Sequence, residues 1–362
     1  MRTRIRSSVS NAASLLTLLH SRGSLSRQEI ARELHVSFAT ASAIVDDLER
    51  QGLCYSSDAE QAPRGRPSRL VELDATARFG VIVDLTSTEM EISLSDMMNR
   101  KVLAESLPIG RAENLRSVVD DVSACISRIL KSRNIESSAV MGVMTVVPAM
   151  YDRRGDRCLC AAYSWLENSP LKKALGDAVG LPVWVENDAN MGAMALSVRE
   201  HHSAYLVFVY IGEGLGLGII NDGVLLTGAY GLAGEVGHMP LGNPDLRCTC
   251  GSYGCLEASL KVSSLRGFAE DPPMLVESSA ALGRLVSSLV NLFDPEVVYI
   301  GSDLPHIVED MLPRVKEEMS HRVILDNVRS PMISATGGLH DLFFEGASEQ
   351  LFRRWVESDS SR

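Results

Sequence analysis

Three cysteines and one histidine stand out in the stretch GEVGHMPLGNPDLRCTCGSYGCLEA, residues 234–258. Cys248, Cys250 and Cys255 lie within eight residues of one another, and His238 stands ten residues before the first of them. One imidazole and three thiolates make a Cys3His set, the donor set that binds structural zinc in a tetrahedron. The intervening glycines let the loop fold back so that all four donors can reach one point. The stretch therefore predicts one structural zinc ion per chain.

Two other uses of clustered cysteines stay open, namely a disulfide and thiols that are redox-active or merely buried. The chain has seven cysteines, an odd number, and Cys54 and Cys125 stand alone in the sequence. This pattern argues against the disulfide framework of a secreted protein. The four donors would also close the zinc shell and leave no position for a catalytic water. Structural zinc is therefore the preferred interpretation.

The composition is typical of a soluble globular protein. Apolar residues make up 45% and charged residues 22% of the 362 residues, a length that suggests about two or three domains. No apolar run approaches the roughly 18 to 20 residues of a membrane helix. The apolar segment LLTLLH near the start is too short for a signal peptide. We expect a cytoplasmic protein with no membrane partner.

The charge is unevenly distributed along the chain. Residues 1–74 carry ten arginines and nine acidic residues, a net charge of +1, and the remainder carries −12, which gives the total of −11. An acidic protein does not approach DNA with its whole surface, but a locally basic end still can. The front of the chain is therefore the candidate for DNA binding.

Three short helices are predicted in this front part. VSNAASLLTLLH (9–20) repeats apolar residues at helical spacing. Ser26 and Glu29 form a capping box that begins a second helix, and Ser37 caps a third, FATASAIVDDLERQ (38–51). Two helices joined by a tight turn are typical of a helix-turn-helix, in which the exposed start of the last helix reads base edges. The predicted contacts are Ser37, Phe38, Thr40 and Ala41. A small helical bundle that binds protein is the alternative.

The segment GLCYSSDAEQAPRGRPSRLVEL (52–73) predicts two strands around a polar loop, as in the wing of a winged helix. Within it, PRGRP (63–67) places Arg64 and Arg66 on either side of a glycine, and a proline flanks each arginine. Such an extended backbone would let both arginines enter a narrow, A·T-rich minor groove. A stiff interdomain linker has the same composition, so both uses stay open, with DNA contact favoured.

From residue 78 onward, strands and helices alternate. RFGVIVDLTSTEMEISLSDMMNRKVLAES (78–106) predicts three successive strands, and AYLVFVYIGEGLGLGIINDGVLLTG (204–228) predicts a pair of glycine-turned hairpins. LPVWVENDANMGAMALS (181–197) predicts a strand, a loop and a helix. ALGRLVSSLVNLFDPEVVYIGS (281–302) predicts a helix, a turn and a strand. This alternation favours an α/β protein of two lobes.

The stretch GLAGEVGHMPLGNPDLRCTCGSYGCLEA, together with ENDAN (186–190) and NLFDPEVVYIGS (291–302), resembles the ROK family of repressors, open reading frames and sugar kinases. With a winged helix in front, the chain resembles the repressor branch, which responds to xylose, glucose or N-acetylglucosamine. The resemblance implies a two-lobed, actin-like (ribonuclease-H-like) ATPase fold. The expected domains are a winged helix-turn-helix at 1–74 and a sugar-kinase-like effector domain at 78–362, with its zinc loop at 238–255.

The resemblance also implies a sugar pocket that the zinc loop braces. It carries over to Asn187 and Asp188 of ENDAN, Glu235 and His238 of GEVGH, and Glu257 of CLE. Sugars need several fixed carboxylates and amides to take up their hydroxyl hydrogen bonds, and a histidine can ligate zinc through one nitrogen and offer the other to a ligand. Helix or turn capping is the alternative role for Asp188 and Glu235.

Two departures from the family's ATP-phosphate loops argue against kinase activity. Where the enzymes have D-x-G-G-T, this chain has DLTST, so that Thr86 and Ser87 replace the glycines whose amides approach the phosphate. The second loop, usually G-T-G, has Glu213 between its glycines, and this carboxylate would repel a polyphosphate. Asp188 matches the family's catalytic base, but without a phosphate donor it can only accept a hydrogen bond.

A third departure concerns the ligand. Sugar-binding members often carry P-N-L at a place where this chain has AAYSWLENSPL (161–171), with Tyr163 near the position of the asparagine. We therefore expect the pocket to favour a modified sugar, a sugar phosphate or a polyol over plain glucose.

These features predict a sugar-responsive transcriptional regulator, a repressor of a carbohydrate-utilisation operon, without catalytic residues. It would bind double-stranded operator DNA as a homodimer or tetramer, since two-fold proteins read two-fold sites. One alternative is an active ATP-dependent sugar kinase with a DNA-binding appendage. The other is a pseudo-kinase scaffold that binds only protein.

Overall fold

The computed structural model describes residues 10–58, 69–109, 114–200, 205–268, 272–324 and 331–359. These residues form a small front unit followed by two larger lobes, each built on one five-stranded sheet. Among them, no helix combines the length and the apolar character needed to cross a bilayer.

The front unit is a winged helix, as predicted. Its elements are α1 (Asn11–Arg22), β1 (Leu25–Ser26), α2 (Arg27–Glu33), α3 (Phe38–Arg50), β2 (Cys54–Asp58) and β3 (Arg69–Leu73). The strands pair in an antiparallel sheet of order β1-β3-β2. The loop between β2 and β3, with the predicted groove-binding Arg64 and Arg66, lies outside the described residues.

Local capping explains where its helices begin. The Ser26 hydroxyl accepts the Glu29 amide at 3.2 Å while the Glu29 carboxylate accepts the Ser26 amide at 2.8 Å, which is the predicted capping box. Ser37 caps α3 in the same way by accepting the Thr40 amide at 3.1 Å. Both helix-start predictions are confirmed.

The first lobe has a sheet of order β10-β7-β4-β5-β6. Its elements are β4 (Phe79–Asp84), β5 (Glu89–Asp96), β6 (Lys101–Pro108), α4 (Leu115–Ser132), β7 (Val140–Val147), β8 (Met150–Asp152), β9 (Arg157–Leu159), α5 (Leu171–Val179) and β10 (Val183–Asn187). Every residue of β7 is buried, as expected for a central strand covered on both faces. Helices α4 and α5 cover one face.

The second lobe has a sheet of order β13-β12-β11-β14-β15. Its elements are β11 (Tyr205–Ile211), β12 (Leu215–Asn221), β13 (Val224–Leu225), α7 (Leu256–Leu260), α8 (Val262–Phe268), α9 (Pro272–Phe293), β14 (Val297–Ser302), α10 (Pro305–Arg322) and β15 (Met332–Thr336). Strands β11 to β13 form the predicted hairpins. Helices α9 and α10 pack on one face of this sheet.

Two helices lie between the sheets of the two lobes, namely α6 (Asp188–Arg199) and α11 (Leu339–Asp359). They approach so closely that a methyl group at Gly346 would overlap the main-chain oxygen of Met191. Helix α11 continues beyond the lobes to the winged helix, where Phe352 shares one buried cluster with Leu19 of α1. The two-lobed α/β prediction is confirmed, and α11 joins it to the front unit.

Candidate functional site

Asn187 and Asp188 stand at the junction of β10 and α6. The predicted loop between this strand and helix is wrong, because β10 ends at Asn187 and α6 begins at Asp188. The Asn187 side chain caps the helix itself by accepting the Asn190 amide at 2.8 Å, so no connecting residues are needed. One oxygen of Asp188 accepts the Ala189 amide, also at 2.8 Å. These capping bonds use only Oδ1 of each side chain, so the Asn187 amide nitrogen and the second Asp188 oxygen can still bind a ligand.

Glu257 lies in the first turn of α7 and connects the cysteine loop to the turn between β11 and β12. Its Oε2 accepts the Leu215 amide at 3.3 Å. Its Oε1 accepts hydrogen bonds from Cys248 Sγ at 3.6 Å and from Thr249 Oγ1 at 3.3 Å. A shift of the cysteine loop would therefore move this carboxylate.

Glu235 precedes and His238 ends a single 3-10 turn at 236–238 that packs on the start of β12. A methyl group at Gly237 would come within 2.7 Å of the Leu215 carbonyl oxygen, so only glycine permits this approach. Asp188 lies against the same strand, since its Oδ1 would contact a methyl group at Gly216. The predicted effector residues are thus brought together around the first residues of β12.

The carboxyl groups of this cluster influence one another. Burial raises the pKa of Asp188 to about 7, and the neighbouring charge of Asp84 adds to the effect. Burial also raises the pKa of Glu235 to about 7, with contributions from Asp188 and Glu257. Carboxyl groups that titrate near neutral pH can accept hydrogen bonds when ionised and donate them when protonated. Such a cluster suits a ligand with several hydroxyl groups.

The candidate metal site has the four donors that the sequence predicts. One nitrogen of His238 and the sulfurs of Cys248, Cys250 and Cys255 all lie within 4.8 Å of one another. His238 Nδ1 is 3.7 Å from Cys248 Sγ, and Cys250 Sγ is 3.7 Å from Cys255 Sγ. A tetrahedron with zinc–sulfur bonds of about 2.3 Å has sulfur–sulfur edges of about 3.8 Å. The donors therefore fit one metal ion, and none of the seven cysteines is in a disulfide.

Asp84, at the end of β4, is bound by other groups of the chain. Its Oδ1 accepts the amide of Thr86 at 2.8 Å and the hydroxyl of Thr86 at 2.6 Å. Its Oδ2 lies 3.5 Å from Nδ1 of His340, at the start of α11. The hydrogen bond to Asp84 raises the pKa of His340. Both oxygens of this carboxylate thus have partners within the protein.

Tyr163 fixes the loop that follows Asp84. Its hydroxyl donates to the Ser87 carbonyl oxygen at 2.5 Å, and its ring stacks on Trp165 with 5.6 Å between centroids. Glu213 is exposed on the turn between β11 and β12. Tyr163 therefore holds the loop that contains Thr86 and Ser87, the two residues expected to stand in place of phosphate-binding glycines.

The start of α3 presents three of the predicted DNA contacts. Ser37, Phe38 and Thr40 are exposed. Ala41 has no exposed surface, so the prediction that it contacts base edges is wrong. Helical spacing places Ala41 on the inner face of α3 with Val45, inside the core of the winged helix.

The winged helix and α11 meet at a buried histidine–carboxylate pair. His20 of α1 lies 2.8 Å from both the Met97 carbonyl oxygen and Glu349 Oε2, and its ring stacks on Phe352 with 4.0 Å between centroids. Asn99 donates to the same Glu349 oxygen at 2.9 Å. Sequence reasoning did not find this contact, because His20 and Glu349 are 329 residues apart and no local pattern joins them.

The comparison with known sequences decides the family. The sequence profile of the ROK family matches residues 81–342. The chain belongs to the ROK family. A second profile, that of the MarR family, matches residues 10–61, which contain the three helices of the winged helix.

Relatives within the ROK family include both regulators and kinases. The xylose repressor of Caldicellulosiruptor bescii is 26% identical over 335 residues, which are 82% of this chain and 84% of the repressor. A solved ROK family transcriptional regulator, a homologue of the Escherichia coli Mlc protein, has a TM-score of 0.81 at 20% identity and covers 96% of both chains. The ROK hexokinase of Thermus thermophilus has a TM-score of 0.62 at 23% identity and covers 75% of this chain and 96% of the hexokinase. The fold is thus a winged helix followed by the ROK kinase fold.

Proposed function

We propose that this protein is a sugar-responsive regulator of transcription, a repressor of a carbohydrate-utilisation operon that senses its effector in a kinase-like domain without using ATP. We propose that it acts in the cytoplasm as a homodimer or tetramer on double-stranded operator DNA. One observation carries the proposal. The chain combines a winged helix whose α3 is exposed at its start with a ROK fold in which Thr86 and His340 bind Asp84.

The DNA-binding part of the proposal rests on α3. Ser37, Phe38 and Thr40 are exposed at the end of the helix that enters the major groove in proteins of this architecture. A relative that aligns along most of the chain is named as a xylose repressor. Arg64 and Arg66 remain candidates for minor-groove contacts on sequence grounds.

The effector part rests on the cluster around β12. Asn187, Asp188, Glu235, His238 and Glu257 supply carboxylates, an amide and an imidazole within one region, which matches the needs of a ligand with many hydroxyl groups. The proposed effector is a modified sugar, a sugar phosphate or a polyol. Capping occupies one atom each of Asn187 and Asp188 and leaves their remaining polar atoms for this role.

We further propose that the metal is structural zinc, one ion per chain, held by His238 Nδ1 and the sulfurs of Cys248, Cys250 and Cys255. Bound zinc would supply a rigid tetrahedral junction and no catalytic chemistry, because the four donors close its shell. Fixing this loop positions Glu257, whose Oε1 accepts a hydrogen bond from the Thr249 hydroxyl of the same loop at 3.3 Å. It also sets the ring of His238, whose Nε2 can then donate to the effector.

The proposal that ATP is not used rests on the loops that face the former phosphate site. The side chains of Thr86 and Ser87 would obstruct the approach of a phosphate to the main-chain amides of this loop. The Tyr163 hydroxyl donates a hydrogen bond to the Ser87 carbonyl oxygen and so fixes the loop. Glu213 adds a negative charge on the opposite turn. The competing function, an active sugar kinase with a DNA-binding appendage, would need both loops to rearrange.

Helices α6 and α11 offer a route by which the effector could act on the winged helix. Helix α6 begins at Asp188 and is joined to α11 by two hydrogen bonds from Arg199 to Glu345 at 2.7 and 2.8 Å. In α11, His340 lies beside Asp84 and Glu349 lies beside His20. At about 1.5 Å per residue, these two positions of the helix are about 14 Å apart. A shift of the lobes on effector binding would therefore move the contact with α1 and change the affinity for operator DNA.

Two measurements on the full chain test the proposal. Gel retardation of a duplex from its own promoter region should be specific, and one member of a panel of sugars, sugar phosphates and polyols should change it. A coupled ATPase assay with the same panel should detect no turnover. Turnover of about one per second or faster would support the kinase instead, and failure to bind any duplex specifically would support a protein-binding scaffold.

A further inference from the structure

The exposed half of α3 has an unusual set of side chains for a helix that reads DNA. Its first two turns, residues 38–45, read FATASAIV and contain no charged residue and no amide side chain. Phe38 is the first residue of α3 and the most exposed large apolar residue of this stretch, with 59% of its surface accessible. This end of α3 therefore offers an aromatic ring surrounded by small residues, with hydroxyl groups beside it.

The charged residues of α3 lie at its other end and are paired. Arg27 of α2 binds Asp46 at 2.6 Å and Glu49 at 3.2 Å. The first turn of α3 contains no acidic residue. A polyanion can therefore approach the start of the helix without facing a carboxylate there, which is the charge arrangement that a DNA duplex requires.

The chemistry of this surface limits which bases it can read. In the major groove, guanine is read by Arg or Lys and adenine by Asn or Gln, and residues 38–45 contain none of these. The hydroxyl groups of Thr40 and Ser42 can bond to either base and do not by themselves favour one. The one apolar group on a base edge is the 5-methyl of thymine, which apolar side chains such as Phe and Ala contact. We propose that Phe38 packs on a thymine methyl in each operator half-site and so selects A·T over G·C where the helix begins. This inference rests on the proposed DNA-binding function.

The test begins with the full chain and a pool of random duplexes, from which repeated binding and amplification yield a preferred site. Each thymine of the preferred half-site is then replaced singly by uracil, which removes only the methyl group. We expect one position per half-site at which this change weakens binding about fourfold, as for one buried methyl-sized group. The other thymines should tolerate uracil.

The Phe38→Ala variant should bind the thymine and uracil duplexes equally, because the ring that contacts the methyl is gone. Tyr253→Ala is the matched control, since Tyr253 is an aromatic of similar exposure (62%) on the cysteine loop, and it should keep the thymine preference. Both sites are exposed, so unchanged melting temperatures should confirm that the variants fold.

Three results would count against the reasoning. A Phe38→Ala protein that still prefers thymine over uracil, or binds the preferred site as tightly as the wild type, would overturn the assignment and favour a protein partner for Phe38. A preferred site in which no thymine methyl matters would also overturn it while leaving the DNA-binding function intact. Failure to select any site would instead refute the proposed function.

Discussion

Replacing Glu349 by glutamine should uncouple the winged helix from the effector lobes. Its side chain is 4% exposed and lies 2.8 Å from His20 of α1, 2.9 Å from Asn99 and 2.6 Å from Arg353. Burial opposes ionisation, but the hydrogen bond and charge of His20, followed by those of Arg353, lower the pKa of Glu349 to about 2. The ionised carboxylate is therefore a stabilising partner at the contact between α1 and α11.

The magnitude follows from that pKa. An ordinary glutamate titrates near 4.5, so the folded protein favours the ionised form of Glu349 by about 3 kcal/mol, at about 1.4 kcal/mol per pH unit. Glutamine keeps the shape but removes the charge, and most of this stabilisation should be lost. Because the folded pKa lies below the unfolded one, the stabilisation is complete above about pH 4.5 and disappears as the pH falls through about 2.

Calorimetry of the full chain, together with operator titrations, measures the effect. The wild type should melt in one transition, since α1 and α11 share a buried cluster. Glu349→Gln should melt in two, with the winged helix first, and the effector should no longer change operator binding. The control Glu357→Gln alters an exposed carboxylate of the same helix and should behave as the wild type. Identical melting and an equal effector response in both variants would refute the reasoning.

Other parts of the molecule give three further predictions. Elemental analysis should find about one zinc per chain, and Cys250→Ser should lose the metal and melt at a lower temperature, whereas Cys160→Ser, an exposed cysteine outside the cluster, should do neither. Asp188→Asn should bind the operator normally but lose the effector coupling, which is about 1–3 kcal/mol in switches of this kind. Calorimetric titration should find effector affinity rising with pH through about 7 in the wild type, because the ionised carboxylate accepts hydroxyl hydrogen bonds, and a weaker rise in that variant, in which burial still raises the pKa of Glu235. Thr40→Val should change the preferred bases in a duplex selection, and an equal loss of affinity for every sequence would mean that Thr40 contacts only phosphate.

The features that were predicted correctly from the residues themselves depend on short-range patterns. Ser26 and Glu29 are three residues apart, and their capping box is a property of one helical turn. The three cysteines span eight residues, and their spacing together with His238 predicted the cluster of donors that the structure shows. A prediction that depended on which face of a helix is buried was wrong. Ala41 looked like a surface residue, but its position places it on the inner face of α3.

The features that were missed join distant parts of the chain. His20 and Glu349, like Asp84 and His340, come from elements whose meeting depends on the complete fold. Periodicity and capping rules act within one element and carry no information on which elements meet. The resemblance to the ROK family supplied the predicted effector residues, but it did not supply these two long-range contacts.

The surroundings of Asp84 bear on the proposal that this kinase-like domain works without a nucleotide. This carboxylate is nearly buried, and a buried charge without partners destabilises a protein. Thr86 donates two hydrogen bonds to it, and His340 is its second partner. Under that proposal, the threonine that would obstruct a phosphate also satisfies the buried charge of Asp84. Because His340 lies in the first turn of α11, the same pair ties the first lobe to the helix that contacts the winged helix. We infer that this pair fixes the start of α11 against the first lobe, so that a shift of the lobes on effector binding would reach the winged helix through α11.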